Sequence, residues 1–206
     1  MIYGYHVILP MYGFWLPNDP RGSWSDFVGR WELVRFGRAR RTLERKTLAE
    51  LTPSERALRD SARASLLYQP VTLNEKQIAS IAAGFAVSIG KNGYTVWGCS
   101  IMPQHTHLVI ARHSYRVEQI ANLLKGEATR QMVSDRWHPF QHLESQQRLP
   151  SVWTRGCWKS FLDNETAIEE AIRYVEQNPI LEEKPKQEWP FVRLYGGLDP
   201  GWITYH

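Results

Sequence analysis

Cysteine is scarce in this sequence, and long apolar runs are absent. The 206 residues include only two cysteines, Cys99 and Cys157. Two cysteines fit free buried thiols in a reducing compartment better than a disulfide framework. No stretch approaches the roughly 18 consecutive apolar residues that a membrane-spanning helix needs. The N-terminus lacks the basic start of a signal peptide, and Pro10 and Pro17 interrupt its apolar stretch. We therefore expect a cytoplasmic protein with no membrane partner.

Internal repeats and low-complexity segments are also missing, and the chain is too short to require two domains. We expect one domain over residues 1–206, because this length suffices for one well-buried core. The net charge of +4 is modest, so composition alone does not indicate a nucleic-acid partner. The segment from Arg30 to Lys46, however, contains seven basic residues and only two acidic ones. Such a block favours polyanions through counterion release, although it is equally typical of a solvated surface loop.

Two histidines, His105 and His107, stand one residue apart and precede the apolar run Leu108-Val109-Ile110. The run predicts a buried strand. Side chains on a strand alternate between faces, so both imidazoles should point the same way, about 6–7 Å apart. Two imidazoles in this position can bind one divalent metal ion. A His-x-His pair is common, however, and by itself it usually marks two ordinary histidines.

A second pattern supports the pair: an amphipathic helix predicted to begin after Asp163 or Asn164 and to end at Asn178, before Pro179. Its apolar stripe consists of Ile168, Ala171, Ile172 and Val175. At 100° per residue, Tyr174 and Asn178 lie together on the flank of that stripe. A tyrosine in this position either covers the edge of the core or serves as a reactive group at a packing seam.

The predicted elements follow the order strand, helix, strand, strand, helix, strand, helix. This order is typical of an α+β, ferredoxin-like (split βαβ) fold: an antiparallel sheet with helices on one face, plus here a C-terminal tyrosine-bearing helix. We expect strands at 3–9, 94–101, 105–112 and 152–162. We expect the first sheet-packing helix to follow a capping box of Thr72 and Glu75. We expect the second to span 117–133. Residues 10–71 form an insertion that carries a helix at 53–67, and 180–206 form an aromatic tail.

The insertion begins with Tyr12-Gly13-Phe14-Trp15-Leu16-Pro17-Asn18-Asp19-Pro20-Arg21-Gly22. Its prolines and glycines predict a loop. Four aromatic side chains in this loop can stack on unpaired bases, since every base offers a π-face, or can pack the loop onto the core. They are Tyr12, Phe14, Trp15 and Trp24.

Three motifs in this order carry a family resemblance: the loop above, Pro103-x-His105-x-His107-Leu108, and Tyr174-Val175-x-x-Asn178-Pro179. Together they resemble the single-tyrosine transposases of the HUH class, which are named for two histidines flanking one residue. Within that class the sequence looks most like the REP-associated tyrosine transposases, over roughly residues 1–180. The resemblance implies a metal-dependent single-strand DNA endonuclease and strand transferase that acts near DNA hairpins.

The resemblance also implies roles for individual residues. His105, His107 and Asn178 would hold a divalent ion, Mg²⁺ or Mn²⁺, against the scissile phosphate. Tyr174 would attack the phosphate and form a covalent 5′-phosphotyrosine with a free 3′-hydroxyl. DNA phosphates would be held by Arg38, Arg40, Arg41, Lys125 and Arg130. Members of this branch are mostly monomers while other relatives swap the tyrosine helix, so both monomer and homodimer remain open.

Two other functions compete with this hypothesis. The first is a domesticated protein that binds DNA hairpins without cutting them. The second is a zinc hydrolase that uses His105 and His107 with either His113 or Cys99 as a third ligand. The zinc site requires that the third side chain lie on the same sheet face as the histidine pair.

Overall fold

The structure is a computed structural model that describes residues 1–23, 28, 31–41, 46–143 and 148–198. Within these ranges, four strands form one antiparallel sheet in the order β2-β3-β1-β4. The strands are β1 (Gly4–Pro10), β2 (Val96–Ile101), β3 (His105–Ala111) and β4 (Trp158–Leu162). The described helices are α1 (Trp31–Val34), α2 (Pro53–Ala64), α3 (Glu75–Asn92), α4 (Val117–Ser134) and α5 (Glu165–Leu181). The expected ferredoxin-like α+β fold is confirmed. None of these described helices is long and apolar enough to cross a membrane.

One face of the sheet packs against α3 and α4. Val7 and Leu9 of β1 point to this face and are fully buried, because alternate residues of a strand share a face. The two helices approach each other closely at Gly84. A Cβ atom there would lie 2.5 Å from the Cα of Ala128, so only glycine allows this contact. The α3/α4 face therefore forms a continuous apolar core.

The opposite face of the sheet packs against α5, mainly through β2 and β3. Val109 of β3 is fully buried there, together with Ile168 and Val175 of α5. Gly98 of β2 leaves space for the helix, since a Cβ on it would already touch Val175 Cγ1 at 3.6 Å. Helix α5, which carries Tyr174, is thus held directly over β2 and over β3, the strand that contains the histidine pair.

Two expected boundaries near the C-terminus are wrong. The strand predicted at 152–162 begins only at Trp158, because Trp153 instead bridges to Met11 of the insertion. Helix α5 continues past Asn178 and through Pro179 to Leu181. Proline is tolerated in this last turn because the helix loses only one amide donor there, and the amide of Glu182 still bonds the Asn178 carbonyl at 3.3 Å.

The start of α3 is set by a side-chain cap. The capping box of α3 is formed by Asn74 and Gln77, not by Thr72 and Glu75 as predicted. The Asn74 carbonyl oxygen accepts the Gln77 amide at 3.0 Å, and the Gln77 side chain accepts the Asn74 amide at 2.9 Å. Asparagine is as good an N-cap as threonine, and it lies directly before the first helical residue.

The insertion is hydrogen bonded to the loop that leads into β3. The amide of Met11 donates to the carbonyl of Gln104 at 2.9 Å. The amide of Leu73, just after the insertion, donates to the carbonyl of Pro103 at 2.8 Å. Inside the insertion, the buried Asp19 carboxylate pairs with Arg21 at 2.9 Å and with Arg59 at 3.5 Å. These contacts hold the described part of the insertion beside the first histidine of β3.

The tail folds back along the edge of β2. The side chain of Gln187 accepts the amide of Ile101 at 2.7 Å and donates to its carbonyl at 2.9 Å. The amide of Leu198 donates to Glu165 of α5 at 2.8 Å. The tail therefore packs on the body up to residue 198. Several residues of the sequence interpretation lie outside the described residues: Trp24, Arg30, Arg45, Trp202 and Tyr205.

Candidate active site

The two histidines of β3 share the sheet face that α5 covers, as predicted from strand alternation. Their ring centroids are 4.7 Å apart. His107 is only 2% exposed and pairs with Ile8 of β1 and Ser100 of β2. The central position of β3 in the sheet therefore buries His107, while His105 at the start of the strand is half-buried.

The predicted tyrosine lies over this pair. The ring of Tyr174 is 5.4 Å from the ring of His107, centroid to centroid. Tyr174 remains 49% exposed, whereas Asn178, one turn later on α5, is 7% exposed. The fully buried Val175 fixes the rotation of the helix between them. The flank position predicted from the helical period thus places a solvent-accessible phenol beside the buried imidazole of His107.

A third histidine, His6, belongs to the same cluster, and the sequence interpretation missed it. His6 lies on β1, where it alternates with the core residues Val7 and Leu9 and so faces α5. Its Nε2 is 3.0 Å from Nδ1 of His107, and its ring is 5.7 Å from that of Tyr174. Two signals pointed to it: the alternation of β1, and the ferredoxin-like order that makes β1 and β3 neighbours.

One aromatic of the insertion contacts the cluster. The ring of Phe14 stacks on that of His105 with a centroid distance of 5.1 Å and an interplanar angle of 9°. Tyr12 is instead buried in the core beside Phe140, and Trp15 donates to the carbonyl of Gly22 at 2.6 Å. Among the aromatic residues proposed to stack on bases and described by the structure, Phe14 is the one whose ring packs on a histidine of the site.

Burial keeps the three imidazoles neutral. It lowers the pKa of His6 and of His105 to about 4. The pKa of His107 falls to about 2, mainly through burial and further through charge on His105 and His6. At pH 7 all three rings are therefore in the neutral form, which is the form that binds metal ions.

The residues present fit a divalent ion. Nδ1 of His105 is buried and has no hydrogen-bond partner among the described residues, so it is available to a ligand from outside the chain. No group of three His, Cys, Asp or Glu side chains in the described ranges is arranged to hold an ion. The resemblance adds the amide of Asn178 to the two imidazoles, which would make a mixed nitrogen and oxygen ligand set.

Three of the basic residues expected to hold DNA lie together. Arg38, Arg40 and Arg41 are exposed in the segment after α1. The amide of Arg40 donates to the carbonyl of Pro17 at 3.0 Å, and its carbonyl accepts the amide of Ser23 at 2.7 Å. The basic segment therefore runs alongside the loop that carries Phe14.

The other two basic residues occupy different surroundings. Lys125, which the resemblance implies as a DNA-phosphate contact, is not on the exposed side of α4. It is 7% exposed, because its ammonium group turns inward and donates to the carbonyls of Thr154 and Gly156. Burial lowers its pKa to about 8. Arg130 is exposed but is paired with Glu127 at 2.9 Å, on the helix layer opposite α5.

Neither Cys99 nor His113, the two third ligands considered for a zinc hydrolase, is in position. Cys99 points to the α3/α4 face of the sheet, and burial raises the pKa of its thiol. His113 lies beyond the end of β3, where its ring packs against Tyr94 and Tyr115. Neither side chain shares the sheet face of the histidine pair.

Comparison with known proteins identifies the family. The profile described as "Transposase IS200 like" matches residues 63–178, more than half of the chain. The chain therefore belongs to the IS200-like transposase family. The matched region includes β3 and ends at Asn178, so it contains the histidine pair and the tyrosine. No curated protein matches the sequence.

The similar solved structures include two transposases. One is a REP-associated tyrosine transposase bound to a REP hairpin, at 10% identity and a TM-score of 0.46, covering 92% of this chain and 74% of the other. The second is a putative transposase from Deinococcus radiodurans R1, at 14% identity and a TM-score of 0.37, covering 89% and 92%. Both TM-scores are below 0.5, so neither similarity carries weight beyond the family match.

Proposed function

We propose that this chain is a metal-dependent single-strand DNA endonuclease and strand transferase of the REP-associated type. It acts next to DNA hairpins through a covalent 5′-phosphotyrosine. The observation that carries the proposal is the half-exposed ring of Tyr174 lying 5.4 Å from that of buried His107. Two rigid elements, α5 and β3, hold a nucleophile and a neutral imidazole pair within reach of one phosphate.

The chemistry assigned to Tyr174 balances without a further co-reactant. Its phenolic oxygen attacks the scissile phosphorus, and the bond from phosphorus to the 3′-oxygen breaks. The phenol gives up its proton, and the leaving 3′-oxygen takes one up to become a hydroxyl. A phenol is a weak nucleophile at pH 7, so the site must help. A divalent ion, Mg²⁺ or Mn²⁺, held by His105, His107 and Asn178 would polarise the phosphate.

The remaining contacts support a single-stranded substrate beside folded DNA. Phe14, stacked on His105, presents an aromatic ring at the edge of the site on which an unpaired base can stack. Arg38, Arg40 and Arg41 supply exposed positive charge along the same loop. Charges of this kind hold phosphates without reading sequence, as binding to a hairpin stem requires.

The decisive experiment traps the adduct. Wild type and Tyr174→Phe are incubated with Mn²⁺ and hairpin-containing single-stranded DNA from around the gene, then resolved on denaturing gels. We expect wild type to form a protein–DNA adduct and to release a fragment whose 3′-hydroxyl a polymerase extends. Tyr174→Phe removes one exposed oxygen, so it should keep DNA affinity while losing the adduct completely.

Tyr115→Phe is the matched control, because Tyr115 is a partly exposed tyrosine that packs on Tyr94 and His113 away from the site. It should form the adduct at the wild-type rate. An adduct that maps to a tyrosine other than Tyr174, or that survives in Tyr174→Phe, rejects the assignment. Hairpin binding by wild type with no adduct in Mn²⁺ would establish the non-cleaving binding protein instead.

A further inference from the structure

His6 is hydrogen bonded to His107 but has no part in the proposed chemistry. It lies diagonally across the β1–β3 pairing from His107, since His6 is opposite Val109 and His107 is opposite Ile8. The two rings stack with centroids 5.2 Å apart and an interplanar angle of 24°. Nε2 of His6 and Nδ1 of His107 are 3.0 Å apart, a normal hydrogen-bond distance.

This contact limits how His107 can bind an ion. Each neutral imidazole has one protonated nitrogen and one bare nitrogen, and a hydrogen bond between these two atoms requires that one of them carry its proton and the other be bare. If His6 donated it, Nδ1 of His107 would be occupied as an acceptor and its Nε2 would carry the proton. Neither nitrogen of His107 would then be free for a metal. His107 is a ligand only if its own Nδ1–H donates and its Nε2 stays bare.

We infer that His6 is a positioning residue that accepts the Nδ1–H of His107 and thereby presents the bare Nε2 of His107 to the metal ion. The inference rests on the proposed function and assigns His6 a role within it. In metalloproteins the second ring nitrogen of a ligating histidine commonly has such a partner, which fixes both tautomer and ring orientation. Here the partner is a second imidazole from the neighbouring strand.

The two histidines of the pair are held differently as a result. His107 has a hydrogen-bonded partner in His6, whereas His105 is held by the stacked ring of Phe14 and its Nδ1 has no partner among the described residues. Stacking restrains the plane of a ring but selects neither tautomer. Loss of His6 should therefore affect His107 and leave His105 unchanged.

The test compares wild type with two variants of His6. His6→Phe keeps a flat ring but removes the acceptor. His6→Gln places a side-chain amide oxygen near the former Nε2, so it can still accept the proton of His107. His138→Phe is the matched control, since His138 is a buried histidine that packs beside Phe140 in the other core. Circular dichroism confirms that each variant is folded.

Nitrogen NMR of the histidine side chains in the metal-free protein reports the tautomer directly, without activity. We expect His107 to carry its proton on Nδ1 in wild type and in His6→Gln. In His6→Phe it should become a mixture of both tautomers. Mn²⁺ titration should show a loss of affinity of about 10–100-fold in His6→Phe, the usual cost of removing such a partner. His6→Gln should recover most of it, and His138→Phe should match wild type.

Failure of this inference is separable from failure of the proposed function. If wild type cleaves DNA undiminished in EDTA, the metal-dependent function is rejected whatever His6 does. If wild type binds Mn²⁺ and His6→Phe binds it equally tightly, only the role of His6 is rejected. A proton on Nε2 of His107 in wild type also rejects it. NMR coupling between bound cadmium and a nitrogen of His6 would make His6 a direct ligand and overturn the positioning role.

Discussion

The two faces of the sheet differ in what they bury. Toward α3 and α4 the strands present mainly apolar side chains, including Val7, Leu9, Leu108 and Ile110. Toward α5 the face is divided. Val109 and Ala111 pack with the apolar stripe of the helix, but His6 and His107 lie beside Tyr174, and His105 lies next to His107.

This difference shows how a small sheet carries a reactive site. Burying a polar group costs free energy unless it finds a partner, and Nδ1 of His105 has none among the described residues. The α3/α4 core contributes apolar burial that can offset this cost. The apolar half of α5, through Ile168 and Val175, then holds the tyrosine in place without occupying the histidine end of the face.

The largest effects should come from one substitution on each face. Phe85 is fully buried between α3 and the sheet, so Phe85→Ala should lower the free energy of unfolding by about 3–5 kcal/mol. His107→Ala should reduce Mn²⁺-dependent cleavage by more than about 100-fold, since it removes a ligand rather than a ligand's partner. Its free energy of unfolding should fall by only about 1–2 kcal/mol. Urea denaturation and adduct gels measure the two quantities.

Each variant is the control for the other. At a temperature where it is folded, Phe85→Ala should form the adduct at a rate close to wild type. Suppose instead that His107→Ala unfolds the protein and that Phe85→Ala abolishes cleavage in the folded state. That result would refute the assignment of stability to the α3/α4 face and of cleavage to the α5 face.

A smaller effect should separate the basic residues of the two layers. Replacing Arg38, Arg40 and Arg41 with alanine should weaken hairpin binding and reduce its salt dependence by about one slope unit per lost phosphate contact. Lys125→Met should leave the slope unchanged, because the ammonium group already serves the carbonyls of Thr154 and Gly156. Fluorescence anisotropy over a range of salt concentrations measures both. An unchanged slope in the triple variant would remove that segment from the interface.

The smallest effect concerns pH. His6 and His105 have folded-state pKa values of about 4, below the roughly 6.5 of an unfolded histidine. Between these values the unfolded chain binds more protons, so stability should fall as pH drops from about 6.5 to 4. His6→Phe should flatten this decline. Urea denaturation at several pH values measures it, and an equally steep decline in His6→Phe would contradict the assignment.

Local pattern was enough for the parts of the site that lie on single elements. Alternation placed His105 and His107 on one face, and the helical period placed Tyr174 on the flank of α5. The α3 capping box was assigned two residues too early, because Thr72 and Asn74 both begin plausible caps. The end of α5 was missed because Pro179 disfavours helix at the residue before it without forbidding it.

The sequence by itself determined which side chains share a face of one strand or one helix, because backbone geometry sets that periodicity within a few residues. Tertiary structure alone decided which faces meet. The contact of His6 with His107 joins residues 101 positions apart, and the inward turn of Lys125 depends on carbonyls 29 and 31 positions away. Strand pairing and helix packing create such contacts, and the local pattern gives the face of each partner but not the residue that it meets.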